Sequence, residues 1–430
     1  MKLDALCKLI VDCEHKTAPT QAEGYPSIRT PNIGRGVFLL DGVNRVSEDT
    51  YQLWTRRAVP QYGDLIMARE APVGNVAMVP QGLYPCLGQR TLLIRPNPEL
   101  VSPRYLTYLL IGDEVQGIIH GLTNGVTVPH LNMEDVRSLP LPPLPSLPTQ
   151  CKIASLLSAY DDLIENNTRR IAVLEAMAEA IYREWFVEFR FPGHEKLKFV
   201  DSPLGKIPTG WQVVRLDSLK ADQPYAIIGG PFGSNLGTKD YTENGVPVIR
   251  GTNLSETGRF RPDDFVFVSE EKAEELRANL ARPGDIVVTQ RGTLGQLGMI
   301  PYNIGYDRFI ISQSQMKVTL SDVKAKREYV FYVLRSSDAN TRIKNLAVSS
   351  GVPHINLGTL RDFEIVLPPL WMQQRFADFA AVAEEGIELN MKRIRNLRTT
   401  RDLLLPKLIS GQLDVEDLDI ETAEAVAMTE

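Results

Sequence analysis

The feature that most constrains this chain is that it says the same thing twice. Gly24-Tyr25-Pro26-Ser27-Ile28-Arg29 returns as Gly245-Val246-Pro247-Val248-Ile249-Arg250, with Asn32 and Asn253 following. Gly63-Asp64 returns as Gly284-Asp285, and Val73 to Pro80 returns as Leu294 to Pro301; all these pairs share an offset of 221 residues. Val128-Pro129-His130-Leu131-Asn132 returns later as Val352-Pro353-His354-Ile355-Asn356. A period of half the chain is too long for a solenoid. It predicts a duplicated domain, which mimics a homodimer and addresses two similar targets from one chain.

At 430 residues there is room for two or three domains, each with its own core. No secretory leader or membrane-spanning run is read from the sequence, so a cytoplasmic location is expected. Four cysteines (Cys7, Cys13, Cys86, Cys151) form no C-x-x-C pair and are expected as reduced thiols. The net charge of −6 speaks against nucleic acid until its distribution is considered. Residues 411–430 hold seven acids and no Lys or Arg, and taking them away leaves +1. Phosphate contact needs a local basic face rather than a basic total.

Each repeat reads as an α+β domain followed by a long helix. Short apolar runs such as Asp64 to Met67, Val76 to Val79, Asp285 to Val288 and Phe309 to Ile311 read as strands punctuated by Gly and Pro. A helix is expected near Ser269 to Asn279. Each domain closes in proline, at Leu139 to Pro145 and at Leu367 to Leu370. A seam then runs through Ile153, Leu157, Tyr160, Ile164, Asn167, Ile171, Leu174, Ala178, Ile181 and Trp185, in alternating steps of four and three. The second copy places Phe376, Ala380, Ala383, Ile387, Asn390, Ile394, Leu397, Arg401, Leu404 and Leu408 on the same steps. That spacing predicts two coiled-coil helices of about 48 Å each. Asn167 and Asn390 hold the same slot; if the helices pair antiparallel, they meet and set the register. The expected division is 1–148 recognition domain, 149–192 helix, 193–370 linker and second domain, 371–410 helix, and 411–430 acidic disordered tail.

The ordered, duplicated set of Gly-x-Pro-x-Ile-Arg, Gly-Asp, Gly-x-x-x-Met-x-Pro, Val-Pro-His-Leu/Ile-Asn and Leu-Pro-Pro-Leu, then a helix, resembles the DNA-specificity (S) subunit of Type I restriction–modification systems. Gly230-Pro231-Phe232-Gly233-Ser234 and the ending Leu404 to Gly411 also resemble that family. The resemblance implies two target-recognition domains, each reading half of a split double-stranded DNA site, separated by two antiparallel helices in a pseudo-twofold repeat. It implies no chemistry on this chain. Two methyltransferase (M) subunits dock on the helices and motor-nuclease (R) subunits complete the complex, so S-adenosylmethionine, ATP and Mg²⁺ belong to partners. One turn of B-DNA is ~34 Å, so helices of this length suit half-sites about a turn apart. The rival reading is a coiled-coil interaction protein whose duplicated domains bind protein.

The residues themselves give little sign of catalysis. The Pro-Pro pairs follow Leu141 and Leu367 rather than the Asn or Asp of an adenine methyltransferase, and no G-x-x-x-x-G-K-[ST] loop exists. The five histidines show no metal-ligand spacing. Pro262-Asp263 with Glu270-Glu271-Lys272 has the letters of a nuclease motif, but the acids fall in helical text where strands are required, and the first copy lacks the Lys.

Candidate DNA contacts are polar residues in the loops that interrupt strands. In the first copy these are His15, Lys16, Thr17, Arg29, Asn32, Arg69, Glu70, Gln89, Arg90, Thr123 and Asn124. In the second they are Ser234, Asn235, Arg250, Asn253, Gln290, Arg291, Ser312, Gln313, Ser314, Ser349 and Ser350. Residues kept in both halves, such as Arg29/Arg250, Asn32/Asn253, His130/His354 and Asn132/Asn356, are read as scaffold or phosphate grip. Residues that differ are the better candidates for base readout, Arg69-Glu70 against Gln290-Arg291 above all. Trp185 and Phe186 either cap the helix against the next domain or offer an aromatic anchor to an M subunit.

Overall fold

The structure, a computed structural model, describes residues 1–123, 129–348 and 352–422. Two compact units emerge: Met1–Arg169 with Met391–Glu430, and Arg170–Asn390. Each long helix, α1 (Leu147–Tyr182) and α2 (Leu370–Ile409), contributes residues to both.

The first unit is built on a four-stranded antiparallel sheet of β1 (Cys7–Asp12), β2 (Leu65–Ala68), β3 (Val76–Met78) and β4 (Thr91–Pro96), in the order β1-β4-β2-β3. β2 is buried on both faces, so its sequence is continuously apolar rather than alternating. One face meets the helix Pro103–Ile111 and the start of α1, where Ile153, Ala154 and Leu157 pack with Leu405 and Leu408 from the end of α2. The other face carries a small sheet of Tyr25–Ile28, Arg45–Val46 and Cys86–Leu87. The second unit repeats this. β5 (Ile227–Gly229), β6 (Ile286–Thr289), β7 (Leu297–Met299) and β8 (Gln315–Val318) take the order β5-β8-β6-β7. Here Ala178 and Tyr182, late in α1, pack with Phe376, Ala380 and Ala383, early in α2. In each unit the beginning of one helix meets the end of the other, so the pair is antiparallel, as the family resemblance implies.

The repeated motifs are turn chemistry. Gly24 and Gly245 have φ of +118° and +137°, and a Cβ there would stand 2.2 and 2.1 Å from the carbonyl oxygens of Val46 and Val268. Only glycine fits. Asn32 and Asn253 each accept the backbone N–H of Arg29 or Arg250 and donate to carbonyls across the loop. Asp64 and Asp285 accept the N–H of Gln61 and Arg282.

A further pair was not read from the sequence. Gln150 and Gln373, each 1% exposed, stand at the fourth residue of their helices. Gln150 accepts from Ser102 N–H at 3.0 Å and donates to Pro145 O at 3.0 Å. Gln373 accepts from Lys326 N–H at 3.0 Å and donates to Pro368 O at 2.7 Å. Each glutamine ties the proline-rich boundary and the start of its long helix to the cap of the helix beneath it, Pro103–Ile111 or Arg327–Arg335.

Three expectations change. The seam holds from Ile153 to Ala178, but beyond it Tyr182 and Phe186 are buried where Ile181 and Trp185 were expected. The shift is in place at Tyr182, before the π-turn over Arg183–Val187 that Glu188 N–H to Arg183 O closes. A straight helix of 3.6 residues per turn drifts from a strict 3.5 repeat, and that drift accounts for it. Phe186 then sits among Tyr182, Trp211, Tyr329 and Phe376, the capping role. Arg401, read as a seam residue, ion-pairs with Asp161, which also accepts the Tyr108 hydroxyl. The disorder expected of the acidic tail does not hold over its described residues: Val415 is buried in the first core, and Glu416 accepts from Thr149 and Lys152. Its neighbours bury an apolar residue that the charge count concealed. Asn167 and Asn390 are both buried, and each donates to the carbonyl four residues back, Leu163 and Gly386.

Candidate nucleic-acid interface

Most of the candidate residues gather where β2 and β4, or β6 and β8, leave their sheets. The same topology therefore produces the same location twice, with different chemistry in it.

In the first unit β2 ends at Ala68 and is followed by Arg69-Glu70, while β1 ends at Asp12 and Arg90 precedes β4. Arg69 is 6% exposed and fully engaged. Its Nη1 donates to Asp12 at 2.7 Å, its Nε to Leu131 O at 2.9 Å, and its Nη2 to His130 Nε2 at 3.0 Å. A guanidinium has no acceptor, so His130 Nε2 must accept and the Nδ1 carries the proton. That Nδ1–H donates to Glu70 at 2.9 Å, and the other Glu70 oxygen takes Arg90 Nε at 2.8 Å. Asp12, Arg69, His130, Glu70 and Arg90 thus form one chain of neutralised partners. Arg69 is an internal strut here, not a base reader, because turning it outward would leave Leu131 O unpaired and strip Asp12 of its guanidinium. Around this chain Gln89 accepts from the Thr17 hydroxyl and donates to His15 O. Arg29 is exposed beside Gly88, and Lys16 is exposed on the neighbouring loop. The first domain therefore brings Lys16, Thr17, Arg29, Gln89 and Arg90 to its surface together. Asn32 is spent on its turn. Asn124 lies outside the described residues, as do Ser349 and Ser350.

Asp12, Cys13 and His15 place potential ligand atoms within 4.8 Å of one another. Burial pushes the Cys13 thiol up from its ordinary value, away from the thiolate a metal would take. Asp12 is already held by Arg69 and, at 3.1 Å, by His15. These residues anchor Arg69.

In the second unit every member of the chain but the histidine has changed. Strand pairing aligns Asp12 with Gly229, Arg69 with Gln290, Glu70 with Arg291 and Arg90 with Ser314, while the bridge of Glu70 to His130 becomes that of Arg291 to His354. No carboxylate remains. What replaces the ion-pair chain is an open cleft of about 820 Å³ lined by Arg250, Arg261, Arg291, Gln296, Gln313 and Ser314, among others, with no Asp or Glu in its wall. Arg250 donates through Nη2 to Asp264 O, and its Nε is buried with no partner. Thr289 also lines the cleft, and its hydroxyl is buried without a partner. Gln313 donates to Gly233 O and Leu236 O, tying the loop that carries Phe232 and the exposed Ser234 and Asn235 to the rim. Asn253 is 0% exposed and wholly committed to backbone, so it holds the loop and contacts nothing outside. Gln290 turns its Oε1 toward Gly229, filling the place an Asp12 side chain takes in the first copy. Arg261 went unnoticed in the sequence, since it lies far from Arg291 along the chain and no repeat singles it out; Gln296 lies within the Leu294 to Pro301 repeat but was not picked out as a contact.

The nuclease letters do not assemble. Glu270 and Lys272 lie on the helix Glu270–Glu275, where Glu270 pairs with Arg308 and Lys272 with Glu275.

Comparison with known proteins agrees with this geometry. The Type I restriction modification DNA specificity domain matches residues 2–176 and again 208–398. The chain is 27% identical to the Type I restriction enzyme MjaIX specificity subunit of Methanocaldococcus jannaschii, over 89% of this chain and 84% of that one. It is 25% identical to the HindI specificity subunit of Haemophilus influenzae, over 75% and 80%. The crystal structure of a Type I S subunit from M. genitalium superposes with a TM-score of 0.60 at 15% identity, covering 95% of both chains. The chain belongs to the Type I restriction–modification DNA-specificity family. Within that family it carries both copies of the domain and is a non-catalytic, DNA-binding specificity subunit. No helix among the described residues is long and apolar enough to cross a membrane.

Proposed function

We propose that this chain recognises a bipartite, asymmetric sequence in double-stranded DNA and directs adenine methylation, and cleavage of unmodified DNA, by partner subunits. The observation that carries the reading is one fold present twice with two different surfaces at the same place: a neutralised rim in the first copy and an acid-free, guanidinium-lined cleft in the second. Identical domains would read a palindrome. Domains that differ where strands end read two unlike half-sites.

Two M subunits dock on the long helices, and R subunits join them for restriction. S-adenosylmethionine, ATP and Mg²⁺ act on those partners, and the assembly works in the cytoplasm. The Arg-lined cleft supports DNA rather than protein as the ligand, since guanidinium groups recognise both phosphate and guanine. The assembled S–M complex, titrated with a duplex carrying its methylation motif, is expected to bind with an affinity that falls steeply with salt. Equal binding to scrambled duplex, or none at all, would favour the protein-binding reading.

A further inference from the structure

The cleft of the second unit holds one side chain whose role the alignment of the two copies isolates. Arg291 follows β6 directly, lines the cleft and is exposed. Among the described residues its guanidinium makes no ion pair and no hydrogen bond, unlike Arg69, Arg90, Arg95 and Arg401. Its backbone is well fixed all the same. It bridges to His354, and the adjoining Gln290 N–H donates to Ser314 O at 2.7 Å while Gln290 O accepts Ile355 N–H at 3.0 Å. A long cation with no internal partner, standing on a pinned strand end in a wall without carboxylates, is preorganised for an external acceptor.

The first copy supplies the contrast. At the same bridge stands Glu70, which holds His130 and Arg90. The two domains therefore present opposite signs at one structural position, and only the second leaves its charge unanswered. A flat guanidinium fork matches the O6 and N7 acceptors of guanine in the major groove, and no other base edge offers that pair. Gln296, on the same wall, supplies an amide beside it.

We infer that Arg291 is the specificity-determining residue of the second domain, reading a guanine in its half-site, and that the first domain has no equivalent reader at this position. The inference rests on the DNA-reading role proposed above. A phosphate grip by the same side chain would be blind to sequence, so the two roles separate experimentally.

The test is the methylation motif written in cells that express the full chain with its own M subunit, for wild type, Arg291→Ala and Arg291→Lys. Wild type is expected to write one split motif. Arg291→Ala is expected to relax one G·C position in one half-site, lowering discrimination there roughly 10- to 100-fold, and to leave the other half-site unchanged. Arg291→Lys keeps the charge but not the fork, so the same position relaxes while overall methylation persists. Thermal unfolding should match wild type in both variants, because no internal contact is removed. An unchanged motif in a folded Arg291→Ala protein overturns the inference, as does uniform loss of methylation with every base position kept. A wild-type chain that writes no motif overturns the proposed function itself.

Discussion

Replacing Gln373 by Ala tests how the second long helix is joined to its domain. The amide is buried, and both of its ends bond to backbone: Lys326 N–H at 3.0 Å and Pro368 O at 2.7 Å. Two buried hydrogen bonds contribute about 1 kcal/mol each, and an abandoned buried N–H or C=O costs about 1–3 kcal/mol. These overlap, because the lost bond and the orphaned group describe one change, so the expected loss is roughly 2–5 kcal/mol. Met fills nearly the same volume without either polar atom, so Gln373→Met separates the hydrogen bonds from the cavity. Hydrogen exchange followed by mass spectrometry over peptides covering Lys326 and the start of α2 reads the effect where it arises. Both variants should exchange faster there, with exchange in the first unit unchanged, and Gln150→Ala should give the mirror result at Ser102. A change below about 0.5 kcal/mol, the size of an ordinary surface substitution, would refute the claim that these glutamines join helix to domain.

Other perturbations have definite signs. Asn390→Leu should raise stability by about 1 kcal/mol, because the Asn390 Oδ1 is buried without a partner; a urea melt shows it, and a lower midpoint contradicts it. Burial raises the Glu384 carboxyl from 4.5 to about 7, with Glu175 and Glu388 adding to the shift and Arg335 opposing it. The folded state thus keeps a proton that the unfolded chain releases, so its stabilisation is complete below about pH 4.5 and is lost as pH rises through 7. Glu384→Gln should flatten the decline in melting temperature across that window, and an unaltered decline would remove Glu384 as its cause. Ending the chain after Leu413 removes the buried Val415 and should cost about 1.5–3 kcal/mol in the first unit; an unchanged melt would mean the segment does not hold α1 in solution.

Much of the fold was legible because duplication gives each motif a second reading. Gly24/Gly245 and Asn32/Asn253 recur because a turn that only glycine can make, and the amide that caps the next one, do not depend on the DNA being read. The heptads located both helices, but the first ends in a π-turn by Val187 rather than at 192, and the seam fails at Tyr182 and Phe186, buried in place of Ile181 and Trp185, and at Arg401, which is ion-paired. The site was legible in location but not in chemistry. Arg69 looked like a reader until strand pairing set Asp12 beside it, 57 residues away. Arg291 looked like its equal, yet the matching strand ends in Gly229 and no acid arrives. Arg261 joins the cleft only through the folded loops. Which charge is free is a property of neighbours across the sheet, and no window along the chain contains them.

The central claim is that two unlike domains specify one split sequence for methylation. Single-molecule methylation sequencing of the host genome, with the gene intact and deleted, tests it most directly. Deletion is expected to abolish one adenine-methylated motif made of two different half-sites at a fixed gap. An intact set of motifs after deletion, in cells whose M subunit is active, would contradict it.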